Sequence, residues 1–165
     1  MMTRSAKLLL LAGIAFYYTL VVFNNLTDFN SNYEFIRHVL SMDSTFPGNH
    51  ALWRAMPWPV IHFVFYWMII VWEFVTAILA WWGLICLLRV FRGPAIAFNR
   101  EKRVAVAALT LSLLMWLVAF LDVGGEWFLM WQSHTWNGQD EAFRMFVIVG
   151  FVLLLLLQPE TDAQA

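Results

Sequence analysis

Residues 65–82 read FYWMIIVWEFVTAILAWW. Apart from Thr76 and the single acid Glu73, every side chain here is aliphatic or aromatic. The run has no polar–apolar alternation, so it is not the signature of a lipid-facing barrel strand. It belongs to a longer apolar block, Val60 to Leu88, and crossing a bilayer as a helix takes about 20 such residues. A helix satisfies its own backbone polar groups inside lipid. The stretch therefore predicts a membrane-spanning helix with one carboxylate inside it.

The rest of the chain agrees. Of its 165 residues 62% are hydrophobic and 13% charged, against about 25% charged in ordinary soluble domains. Ten Trp suit amphipathic rings at a membrane–water interface. The net charge of −1 predicts no nucleic-acid partner. Cys86 stands alone, so no intrachain disulfide forms, and it reads as a small buried hydrophobe. Besides residues 60–88, spans are predicted over about 8–23, 104–121 and 142–157. The first has a basic start, Arg4 and Lys7, as a signal peptide would. However, it carries Phe16, Tyr17, Tyr18 and Phe23 and lacks an A-x-A-like cleavage site, so it reads as a retained helix.

Arg4, Lys7, Arg89, Arg92, Arg100, Lys102 and Arg103 fall on one side of this layout, seven of the ten basic residues. Arg37, Arg54 and Arg144 fall on the other, among Asp28, Glu34, Asp43, Asp122, Glu126, Asp140 and Glu141. The positive-inside rule predicts cytoplasmic termini and, in a bacterium, a periplasmic opposite face. The longest outer segment, 24–59, contains NYEFIRHVLSMDS, where Tyr33, Ile36, Val39 and Leu40 share a helical face. A short helix lying on the bundle is expected there. GGEWFLMWQSHTWNGQDE is expected to form the last outer loop.

Glu73 lies 16 residues from Arg89, roughly 24 Å above the cytoplasmic edge of a straight helix. Arg144 lies 14 residues from Gln158, about 21 Å up. A charge at a span's centre costs about 2.5–3.5 kcal/mol, and pairing reduces that. An ion pair between the two is therefore expected, within a buried polar cluster with Asp122, Thr19 and Asn24. Two other readings stay open for Glu73: a protonated carboxyl bonded to Thr76 or Ser112, or a role toward substrate or protons.

His62 and Glu73 are eleven residues apart and share a helix face, with Tyr66 near that stripe. His62, Tyr66, Glu73 and Glu126 are the candidate ligand-binding residues. No metal is expected, because the histidines lack dense ligand spacing. No catalytic motif is present: the chain has no phosphate loop, nucleophile elbow or metalloprotease helix. A bis-His haem is not expected, since only His62 lies within a span. No resident quinone is expected either, although the aromatics, His62 and Glu73 would suit a ring with two carbonyls.

The strings NNLTDFNSNYEFIRHVLSMDSTF, HFVFYWMIIVWE, GGEWFLMWQS and WNGQDEAFR carry a resemblance. Along nearly its whole length the chain resembles a bacterial family of predicted small integral membrane proteins to which no activity is attached. The resemblance implies a four-span inner-membrane protein. The expected architecture is thus an all-α, integral membrane four-helix bundle, one domain over 1–165, with short helices in the long periplasmic loop. The expected role is a non-catalytic accessory or assembly subunit, contacting lipids and a partner membrane protein. The alternatives are a redox or quinone-linked membrane protein and a sensor or binder of a small periplasmic ligand.

Overall fold

The computed structural model of the protein describes residues 1–161. Its long elements are α1 (Met2–Thr27), α2 (Phe29–Ser41), α3 (Pro59–Arg89), α4 (Ala95–Glu101), α5 (Arg103–Leu114) and α6 (Gln139–Leu157). A turn at Lys102 separates α4 from α5. Beyond Leu114 the helix continues unbroken but more widely wound, as a π-helix over Met115–Trp127. Single 3-10 turns occur at Leu52–Arg54 and Met130–Gln132. No strand occurs among the described residues.

Each expected span lies inside a helix, but the third runs further than expected. Gly124 and Gly125 were expected to open a loop and instead lie within the wide helix. Its last turn closes with Phe128 N–H on the Val123 carbonyl, an i→i+5 bond. A Cβ on Gly125 would sit 2.5 Å from Gln139 Nε2, so a side chain here would make the Gln139 amide shift. The expected short outer helix is α2, which buries Ile36, Val39 and Leu40.

Three helical stretches are long and apolar enough to cross a membrane: Met2–Thr27, Pro59–Arg89 and Ala95–Trp127, with mean hydropathies of 2.0, 2.0 and 2.5. α6 has 19 residues but carries Asp140, Glu141 and Arg144 in its first two turns. Large apolar side chains such as Phe16, Phe23, Met68, Phe74, Trp82 and Phe151 point outward. Water would penalise so wide an apolar surface, whereas lipid tails accept it. The protein is an integral membrane protein.

Inside, α1 packs on α3, α3 on α5, α5 on α6, and α6 back on α1. Small residues permit the closest approach. Ala77, Ala80 and Gly83 of α3 and Ala105 and Ala108 of α5 are buried together. A Cβ on Gly83 would lie 2.6 Å from the Ala105 nitrogen. Small residues of this kind bring membrane helices into backbone contact, where dispersion replaces the missing hydrophobic drive.

The two ends differ. At the basic end, Arg4 of α1 donates to the carbonyls of Phe91 and Gly93 beyond α3, and Lys7 to that of Gln158 beyond α6. At the other end a cap forms over the helices. Met56 N–H bonds the Leu40 carbonyl, Ser44 Oγ donates to Ser133 Oγ, and Gln132 Oε1 accepts from Phe46 N–H. Arg54 stacks over Trp53 and Trp127, 5.3 and 4.9 Å from the ring centroids.

Candidate functional site: a carboxylate at the base of an aromatic cleft

The buried stripe of α1 runs through Leu11, Ile14, Tyr18 and Val22 to Asn25. That of α3 runs through His62, Tyr66, Ile70, Glu73, Ala77 and Ala80. Where the stripes face each other near the capped end, their polar members meet. Asn25 Nδ2 donates to Glu73 Oε2 at 2.6 Å. Asn25 Oδ1 accepts from Asn32 Nδ2 at 2.6 Å and from the Tyr66 hydroxyl at 3.3 Å. The Asn25 amide is thereby oriented, with its nitrogen turned to the acid. One layer below, the Tyr18 hydroxyl lies 2.6 Å from Ser112 Oγ and accepts from Trp116 Nε1 at 3.0 Å.

Above Glu73 a cleft of about 530 Å³ opens between α1, α2, α3, the wide helix and the segment leading into α6. Six rings line it: Tyr17, Phe35, Tyr66, Trp116, Phe120 and Trp136. Trp116 and Phe120 belong to the wide helix and lie 4.9 Å apart. The wide winding begins just beyond Leu114, and one turn earlier the Leu111 carbonyl accepts the Trp72 indole N–H at 3.1 Å. Glu73 is only 4% exposed. Among the described residues Asn25 is its one hydrogen-bond partner, and no ion pair reaches it. A carboxylate has about four acceptor positions, so most of this acid's capacity is unused.

The expected Glu73–Arg144 ion pair is not formed. The Arg144 side chain is 65% exposed and its acidic neighbour is Glu141, 3.7 Å away and one turn before it on α6. Similar distances along the two helices were not enough, because Arg144 lies on an exposed face of α6. Nor does Glu73 bond to Thr76 or Ser112: Thr76 donates to the Trp72 carbonyl and Ser112 pairs with Tyr18. Asp122, Thr19 and Asn24 are exposed, so the expected cluster is not gathered. Thr19 Oγ1 bonds the Ala15 carbonyl and accepts from Trp81 Nε1.

Of the candidate ligand-binding residues, Tyr66 and Glu73 are brought together in the cleft lining and the other two are not. Glu126 is exposed. His62 is buried, but its Nε2 lies 2.5 Å from the Met56 carbonyl, while Nδ1 is buried without a partner among the described residues. It ties the cap to α3. Sequence reasoning missed Asn25 and Asn32. The signal for Asn25 was present, since it stands seven residues beyond Tyr18 on the stripe Leu11–Tyr18, whereas Asn24 falls on the next face.

A second polar centre, also missed, lies at the basic end. Lys7 Nζ bonds Glu160 Oε1 at 2.6 Å and the Gln158 carbonyl at 2.7 Å. Lys102 Nζ reaches the same carbonyl at 2.7 Å, and Arg4 Nε lies 3.6 Å from Glu160 Oε2. Asn99 pairs with the Glu160 backbone through two bonds of 3.0 Å. Arg4, Lys7 and Lys102 are all buried. They gather where α3 and α6 end, and a helix C-terminus carries partial negative charge and unsatisfied carbonyls. Burial works to raise the Glu160 carboxyl, but Lys7, Arg4 and Lys102 outweigh it and hold it below the usual carboxylate range.

Searches of the curated proteins and of the solved structures gave no match to the chain. A family model does match, over residues 3–159, and so covers both polar centres except Glu160. The chain belongs to the family described as predicted small integral membrane protein, DUF2165.

Proposed function

We propose that the protein is a four-span inner-membrane bundle whose capped, periplasmic end binds a small ligand in the cleft over Glu73. The observation that carries this reading is the acid itself: buried, bonded once, and lining an open cavity rather than closed into a salt bridge. Leaving such a group underused at depth is costly, and ionisable residues within spans default to functional sites for that reason. α6 supplies the fourth span in this reading, and the basic loop between α3 and α5 orients the termini to the cytoplasm. The accessory-subunit role rests on small size, the lack of a catalytic motif and outward aromatic surface that lipid can also cover, so the cleft is the more specific feature.

The test is a melting screen of the purified protein in dodecyl maltoside against small polar molecules. A ligand that binds only the folded state raises the melting temperature in proportion to ln(1 + [L]/Kd). The reading expects a class of compounds that shifts the wild type and leaves Glu73→Gln unmoved. Shifts of equal size in both proteins, or none in the wild type, count against it.

A further inference from the structure

The lining of the cleft also selects the charge of its occupant. We propose that it takes a small alkylammonium ion with Glu73 as the counter-ion, an inference that rests on the ligand-binding reading above. Among the described residues the lining contains two carboxylates, Glu73 at depth and Glu141 on α6, and no Lys, Arg or His. Arg144 engages Glu141 at 3.7 Å from outside the lining, but at depth an anion would meet Glu73 and no cationic donor of the lining. A cation would meet a carboxylate with open acceptor positions, whose Asn25 bond leaves room for the N–H donors of an ammonium group.

The walls suit the same guest. Six aromatic rings line the cleft, and a desolvated cation over an aromatic face is attracted by the ring quadrupole. His38 stacks on one of them, Trp136, at 4.4 Å, but its ring nitrogens are engaged with Asp43, Glu34 and Arg37 and it is not part of the lining. Phe35, Ile36, Ile69 and Phe120 are shared with an adjoining apolar cavity of about 210 Å³ between α2, α3 and the wide helix. That cavity has almost no polar lining and takes the hydrocarbon part, while the charged nitrogen stays over Glu73.

The experiment titrates n-butylammonium, its neutral isostere 1-butanol and the anion butanoate onto wild-type protein in dodecyl maltoside. Trp fluorescence and melting temperature are the readouts, since Trp116 and Trp136 line the cleft. The expected result is at least tenfold tighter binding of the ammonium than of the alcohol, no binding of butanoate, and loss of the preference in Glu73→Gln. If Glu73→Gln does not fold, the wild-type ranking of the three probes still decides. Equal binding of ammonium and alcohol, or an unchanged preference in Glu73→Gln, overturns the inference. If alcohol or butanoate saturates the cleft and ammonium does not, ligand binding stands and the charge assignment falls. If none binds while the broader screen finds another Glu73-dependent class, again only the charge assignment falls.

Discussion

Glu73 and Glu160 are both carboxylates withdrawn from water, at opposite ends of one protein, and their surroundings are opposite. Glu160 has Lys7 at 2.6 Å, Arg4 at 3.6 Å and a paired asparagine on its backbone. Glu73 has one amide and a cavity. The difference separates closure from availability. A carboxylate ringed by cations and helix C-termini locks chain segments together and has nothing left to offer. A carboxylate with spare acceptor positions facing space has interaction energy in reserve for something that arrives. The contrast yields a ranking of variants by how much stability each acid carries.

The largest expected effect is at the closed end. Lys7→Met removes the close partner of Glu160 and one of two donors to the Gln158 carbonyl, leaving a buried charge short of compensation. Breaking a buried pair from one side costs about 3–5 kcal/mol, so thermal unfolding in detergent should shift strongly downward. Acid should then weaken the same end. The folded Glu160 carboxyl sits below its ordinary value of 4.5, so between the two values the unfolded chain binds more protons and stability rises with pH. Its contribution is complete above about pH 4.5 and lost as pH falls through the depressed value. A stability–pH curve of Glu160→Gln should be flatter than the wild type's across that window.

Between the ends, Gly83→Ala gauges how far the packed middle can yield. Its new methyl would lie 2.6–2.8 Å from atoms of Ala105, two of them backbone, and overpacking of this kind costs about 1–3 kcal/mol. The smallest effect belongs to the open end. Glu73→Gln keeps an oxygen to accept from Asn25 and removes a buried acid that no cation among the described residues offsets. Its unfolding free energy should fall far less than that of Lys7→Met, or rise, because no ion pair is broken. A loss as large as that of Lys7→Met would erase the distinction between the two acids.

How much of this the sequence carried depends on which link of the argument is asked. Long apolar blocks and the face shared by Ile36, Val39 and Leu40 located the spanning helices and α2, because burial is periodic and the period is local information. Ruler arithmetic placed Glu73 at a depth but said nothing of rotation about the helix axis. Arg144 lay at the right height on the wrong face, and Asn24 was one residue, about 100°, from the asparagine that matters. The side of a helix that faces inward can be read from a stripe such as Leu11–Tyr18–Asn25, so that part was recoverable. The extension of the third span through Gly124 and Gly125 was not, because two glycines read locally as a loop, and their close neighbours Met130 and Gln139 are set by the tertiary fold. The Glu160 knot was hidden for a different reason. Its members come from positions 4, 7, 99, 102 and 160, each of which looks like solvated terminus or loop until the four helix ends meet.

Among the described residues no cation reaches the buried Glu73, and a double-mutant cycle on Glu73→Gln and Arg144→Gln tests this. Additive effects are expected, with a coupling energy within about 0.5 kcal/mol of zero, as for residues that share no contact. A coupling above about 1 kcal/mol would mean that Arg144 neutralises the acid in the membrane, and the open carboxylate would be a closed ion pair after all.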